Sequence, residues 1–209
     1  MRISDREQRI VEPTVSTDES EWLVLAQNGD DDAFTRLVER YQNPVYNLCY
    51  RMLGNEQEAE DAAQESFWRA YQAIRRYDPE RSFATWLLSI AAHYCIDLQR
   101  KRRLPVMEME DWMEEILPDH APDPEKASGD REDKDRIHKM LAELNPQDRA
   151  AIILRYWYEF SEEEISRALN LSVSAVKSRL HRARLKFASI YKEDQNSTAK
   201  RIQDESPAF

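Results

Sequence analysis

Residues Ser161 to Ala188 read SEEEISRALNLSVSAVKSRLHRARLKFA, and the rest of the chain is interpreted around them. Ser161 followed three residues later by Glu164 is a capping box that starts a short helix. Ile165, Ala168 and Leu169 give that helix an apolar face. Asn170 and Leu171 form a tight turn, and Ser172 caps a second helix. Val173, Val176, Leu180, Ala183 and Phe187 lie on its inner face at helical spacing. Its outer face carries Lys177, Arg179, Arg182, Arg184 and Lys186, with Ser178 and His181 between them. A solvated basic helix would show the same charges. The short helix, tight turn and long capped basic helix together instead describe a helix-turn-helix shaped for a DNA major groove.

A chain of 209 residues holds one large domain or two small ones. Long stretches rich in Ala, Leu, Glu, Arg and Gln, with little alternation of period two, predict an all-helical protein. Gly29, Gly54 and Gly129 are the only glycines and lie far apart, which excludes a phosphate-cradling loop and a dinucleotide fingerprint. The net charge of −10 looks unsuited to DNA, but the charge is segregated. Glu108 to Asp135 holds twelve acids against three bases, whereas Lys177 to Lys186 holds five bases and no acid. Such a chain can bind phosphate locally while the acidic parts weaken its affinity when alone. Cys49 and Cys95 sit in apolar helical segments and are expected in the core rather than as metal ligands or redox groups. No signal peptide and no membrane-spanning run is evident, so no membrane insertion and a cytoplasmic location are expected.

Residues 1–19 read as a disordered tail. A short helix is expected from near Glu19, ended by Gly29. Asp30, Asp31 and Asp32 offer a cap to the next helix, without the alternation a calcium loop needs. Pro44 is expected to kink or restart that helix, which then runs on to Gly54. Asn55 caps a third helix, on which Asp61, Gln64, Glu65 and Trp68 share one face. Three polar acceptors around a large aromatic suit a protein-binding patch, and an ordinary solvated face, which needs no Trp, stands as the alternative.

Arg75 to Arg81 forms a loop containing three Arg, Tyr77 and Pro79. Ser82 caps a long helix that ends in Arg100-Lys101-Arg102-Arg103. Phe83, Trp86 and Ile90 read as core, and Tyr77 and the loop arginines as freer. An aromatic among cations beside a basic helix end suits single-stranded nucleic acid. Four prolines among the acids mark residues 105–129 as a linker, with a small apolar island at Trp112, Met113, Ile116 and Leu117. A helix is expected from about Asp130 to Leu144, then a cap and first-turn proline at Asn145-Pro146. The tail from residue 193 to 209 is expected to be disordered. The architecture is thus all-α, with two small helical domains (20–104 and 130–192) joined by an acidic, Pro-containing linker.

Three motifs resemble the bacterial RNA polymerase sigma factors of the extracytoplasmic-function (ECF) group. Asp61-Ala62-Ala63-Gln64-Glu65-Ser66-Phe67 is similar to the group's signature for the clamp helices of the polymerase largest subunit. Ser82-Phe83-Ala84-Thr85-Trp86-Leu87, with Ile90-Ala91 and the run of bases, resembles its promoter-melting helix. Val176-Lys177-Ser178-Arg179-Leu180-His181-Arg182-Ala183-Arg184 resembles its upstream recognition helix.

The resemblance implies that Asp61, Gln64, Glu65 and Trp68 contact core polymerase, with the flap as a second polymerase contact. It implies that Arg76, Tyr77 and Ser82, with His93, Arg100, Arg102 and Arg103, capture the minus-ten element. Ser174, Lys177, Ser178, His181 and Arg182 would read base edges or nearby phosphates of the minus-thirty-five element, with Arg179 and Arg184 on phosphate. The linker would thread toward the polymerase active-site and RNA-exit channels, and an anti-sigma factor would cover the polymerase- and DNA-binding faces. No cofactor and no metal is implied. His93 stands where many members carry Asn.

Other readings make different demands. A stand-alone helix-turn-helix regulator would need neither the Asp61–Trp68 face nor the acidic linker. An enzyme would need a nucleophile set or metal cluster, but His93, His120, His138 and His181 have no ligand spacing. A decoy that only binds polymerase or another regulator would tolerate loss of charge on the basic helix.

Overall fold

A computed structural model describes residues 17–103 and 136–204, and among them the chain is helical with no strand. The first helix, α1 (Thr17–Gln27), starts two residues before the expected point. It lies across α2 (Asp31–Leu53), where the buried Glu19 carboxylate meets Arg40 at 2.9 Å and the Tyr41 hydroxyl at 3.1 Å. A buried carboxylate held by a guanidinium and a phenol is compensated for its lost hydration.

Asp30 caps α2 by accepting from the Ala33 N–H at 2.9 Å. Gly54 ends it at φ +77°, a left-handed conformation that a Cβ would strain. Pro44 does not restart α2, which continues through it for 23 residues. The helix continues because Tyr41, Val45, Leu48 and Met52 are buried on both sides of the proline. That packing outweighs the roughly 3 kcal/mol that an interior proline costs. Asn55 caps α3 (Glu56–Ala73), whose Ala59, Ala62, Ala63 and Ala70 let it sit close against α2. A 3-10 turn (Ile74–Arg76) and the loop beyond it lead to α4 (Phe83–Arg103).

The C-terminal half comprises α5 (136–142), α6 (Pro146–Trp157), α7 (Glu162–Leu169) and α8 (Val173–Asp204). The Ser161–Glu164 capping box is complete, and Asn170 closes α7 in the left-handed region at φ 52°. Helix α8 runs past residue 192, and its backbone stays helical to Asp204. No Gly or Pro interrupts residues 173–204, and extending an established helix needs no new nucleation. The acidic linker and its apolar island, the tail before Thr17 and residues 205–209 lie outside the described residues.

The two halves pack into one continuous core, with α6 and α7 against α4 and α6 against α2. The buried guanidinium of Arg149 donates to the Met52 carbonyl near the end of α2, and to Ala142 O at 2.8 Å in its own half. Tyr158 donates to the Pro44 carbonyl at 2.6 Å, and the Arg51 guanidinium lies 5.2 Å above the Trp157 ring. Cys49 and Cys95 are fully buried within the N-terminal half, one on α2 and one on α4.

Candidate nucleic-acid and protein interfaces

Helix α3 buries its alanines and turns Asp61 and Gln64 to solvent, with Glu65 half-buried and ion-paired to Arg69 at 2.7 Å. Trp68 is 55% exposed and stacks on Tyr71 with centroids 5.9 Å apart. An indole left this open by a helix with a buried opposite face is an uncovered apolar anchor. The Tyr71 hydroxyl donates to Asp31 at 2.7 Å, and that bond to a carboxylate raises its pKa. Phe34, Val38, Phe67, Trp68 and Tyr71 line a groove of about 530 Å³ between α2 and α3, with Asp31 and Gln64 at its rim. Two of the four predicted residues, Gln64 and Trp68, line a groove that the sequence did not reveal, whereas Asp61 and Glu65 do not. Tyr71, three positions after Trp68, was the signal available for it.

The second surface is the loop before α4 and the outer face of that helix. Arg76 and Ser82 are exposed, and Ser82 Oγ accepts from the Thr85 N–H at 3.4 Å. Tyr77 departs from expectation: it is 4% exposed, packed edge-on against Phe83 at 5.5 Å and tilted against Trp86 at 5.1 Å. Its hydroxyl donates to the Arg81 carbonyl and its carbonyl accepts from Gln27 at 2.7 Å, so both ends hold the loop in shape. A base cannot stack on a ring already enclosed by two others. Burial, then the negative charges of Glu19 and Asp78, push its pKa up to about 12.

His93 is exposed, with Nδ1 2.9 Å from the Ser89 carbonyl one turn earlier. Arg100 is exposed and 3.9 Å from Asp97, whereas Arg102 is tied to Glu58 on α3. Arg103 is the last residue of α4. Arg69, Tyr94, Asp97, Arg100 and Lys101 line a cleft of about 280 Å³, in which the Arg69 guanidinium lies 4.5 Å over the Tyr94 ring. Neither Arg69 nor Tyr94 was singled out in the sequence, because they meet only when α3 packs on α4.

The third surface is α8. Ser172 caps it through Ala175 N–H at 3.2 Å, and Val176, Leu180 and Ala183 are buried beneath it. Ser174, Lys177, Ser178, His181, Arg182 and Arg184 are exposed along one side. Lys177 lies 3.5 Å from Glu162, a weak surface pair. Ser178 Oγ donates to Ser174 O at 3.0 Å, and Arg184 Nε to Leu180 O at 3.2 Å. Arg179 turns inward and donates to the buried Asp148 at 2.8 Å, while Arg182 reaches the same oxygen at 3.5 Å. No group of three or more His, Cys, Asp or Glu placed to hold a metal occurs among the described residues. No helix among them is long and apolar enough to cross a membrane.

Family profiles match both halves: sigma-70 region 2 over residues 37–104 and sigma-70 region 4 over residues 134–187. The chain is 40% identical over 166 residues to the ECF RNA polymerase sigma factor SigW of Bacillus subtilis, a match covering 76% of this chain and 88% of SigW. It is 32% identical over 181 residues to the ECF RNA polymerase sigma factor SigE of Mycolicibacterium smegmatis, covering 84% and 69% of the two chains. Among solved structures it is similar to CnrH in complex with the cytosolic domain of CnrY. That likeness has a TM-score of 0.64 at 26% identity and covers 85% of this chain and 99% of CnrH.

Proposed function

The chain belongs to the ECF group of RNA polymerase sigma factors, which bind core polymerase and direct promoter-specific initiation, and on that footing we propose how its surfaces divide the work. Residues 20–104 bind polymerase and the minus-ten element, and residues 130–192 read the minus-thirty-five element. Gln64 and Trp68 at the groove, with Asp61 and Glu65 on the same helix face, seat the clamp helices. Arg76, Ser82 and the outer face of α4 from His93 to Arg103 hold the opened strand, while Tyr77 supports the loop from inside. Ser174, Lys177, Ser178, His181 and Arg182 face the major groove, and Arg184 a phosphate. Residues 105–129 thread into the polymerase channels. The protein contributes no covalent chemistry and works in the cytoplasm.

The observation that carries this reading is Trp68, a half-open indole stacked on Tyr71 at the rim of an apolar groove and flanked by acceptors. A DNA-binding regulator has no use for it. An anti-sigma factor that covers the groove and α8 would silence both functions, and the solved complex of CnrH with another protein's cytosolic domain supports a partner of this kind. Run-off transcription with core polymerase on a genomic fragment library tests the reading and identifies the promoter. Specific transcripts that disappear with Lys177→Ala and Arg182→Ala are expected. A chain that shifts promoter DNA alone and never binds core would refute it.

A further inference from the structure

Asp148 stands at the third position of α6, behind the recognition helix rather than on it. Its side chain is 6% exposed, and each carboxylate oxygen has a defined partner. Oδ2 accepts at 2.6 Å from Nδ2 of Asn145, the residue that caps α6. Oδ1 accepts from Arg179 at 2.8 Å and from Arg182 at 3.5 Å. The two arginines are three residues apart on α8, so one carboxylate fixes how far the helix is rotated about its axis and where it lies along α6. Their exposures differ: the Arg179 side chain is 20% exposed and that of Arg182 57%. Arg179 Nε is buried and hydrogen-bonded to nothing described, so this guanidinium is committed to the interior.

We propose that Asp148 is a positioning residue for minus-thirty-five recognition: it retains Arg179 inside the domain and aims Arg182 at the duplex. The assignment rests on α8 being the recognition helix. It removes Arg179 from the phosphate contacts and makes it the lock of the helix. A guanidinium anchored on one side by a carboxylate presents its remaining N–H groups in a fixed direction, as bidentate base recognition requires. Without the anchor both arginines become mobile cations, which bind any phosphate and discriminate less.

The test uses reconstituted holoenzyme with Asp148→Asn on two templates, one carrying the intact minus-thirty-five element and one with that element scrambled. The preference for the intact template is expected to fall by about fivefold or more, the smallest discrimination that a good side chain–base contact supplies. The magnitude of the log–log salt slope of promoter binding should rise by up to about 0.9 for each freed arginine that reaches a phosphate. A purely structural role would lower transcription on both templates by one factor with the salt slope unmoved, and that result, like no change at all, overturns the proposal. If Asp148→Asn does not fold, the double variant Asp148→Asn/Arg179→Gln removes the buried pair together. It too is expected to lose discrimination, and wild-type discrimination from it overturns the proposal. Wild-type holoenzyme that ignores the scrambling would instead refute the role of α8 itself.

Discussion

The hydroxyl of Tyr158 donates to the carbonyl of Pro44 at 2.6 Å, joining residues 114 apart and the two halves of the chain. Arg149, through the Met52 carbonyl, and the Arg51–Trp157 and Tyr50–His138 contacts also cross the junction. The promoter elements that the proposal assigns to the two halves, about 25 base pairs apart, are separated by roughly 85 Å along the duplex. On that assignment, occupying both is expected to part the junction. Tyr158→Phe is expected to weaken the closed form by about 1 kcal/mol and Arg149→Met by about 2–3 kcal/mol, since buried bonds to a charged donor are worth more. Spin labels on α3 and α8 should report longer distances in both variants, more so in Arg149→Met. Distances unchanged from wild type would show that these bonds do not hold the halves together.

Tyr77 makes alkaline stability a probe of the minus-ten loop. Its ordinary pKa near 10 is pushed up to about 12, first by burial and then by Glu19 and Asp78. The folded state therefore keeps the neutral phenol. Its contribution is fully present below pH 10 and drains as pH rises toward 12, by about 3 kcal/mol in all. Tyr77→Phe should lower stability near pH 8 by about 1 kcal/mol for the lost hydroxyl bond yet flatten the decline between pH 10 and 12. Tyr41 and Tyr158, also raised by burial, leave a residual decline. Urea midpoints measured across that range check this, and parallel curves for the two proteins would contradict it.

Short-range chemistry was legible in the sequence and long-range packing was not. The caps at Asn55, Asn145 and Ser161 depend on residues three apart, and each has its hydrogen bond. The fate of Pro44 depended on how deeply its neighbours were buried by other helices. Tyr77 looked available because it stood in a polar loop, but Phe83, Trp86 and α1 enclose it from elsewhere in the chain. Arg179 looked like its basic neighbours, and the carboxylate that separates it from them is 31 residues away. The exposed face of α3 could be read because helical spacing alone defines it, while the groove beside it needed α2.

Trp68→Ala separates folding from partner binding. The indole is more than half exposed and its main neighbour is another rim aromatic, Tyr71. Truncation should change stability by no more than about 0.5 kcal/mol, as is usual at the surface. An aromatic anchor at an interface is worth about 2 kcal/mol or more, so affinity for core polymerase should fall at least about thirtyfold. Thermal melting and competition for core against wild-type protein provide the two readouts. Equal competition would remove Trp68 from the interface.

Ser161 tests how far the recognition helix depends on the short helix before it. Helix α7 has eight residues, too few to persist without its ends satisfied. Glu164 accepts from the Ser161 N–H at 2.8 Å while Ser161 Oγ accepts from the Glu164 N–H at 3.1 Å. Ser161→Ala removes the side-chain half of this exchange and should cost about 1 kcal/mol, with Ser161→Thr restoring most of it. Because α7 packs on α8, fraying of the first turn also loosens the support beneath the recognition helix. Holoenzyme carrying Ser161→Ala should therefore lose activity on promoters that need the minus-thirty-five element and keep it on promoters that do not. An equal loss on both classes would mean that the cap supports the fold without serving recognition.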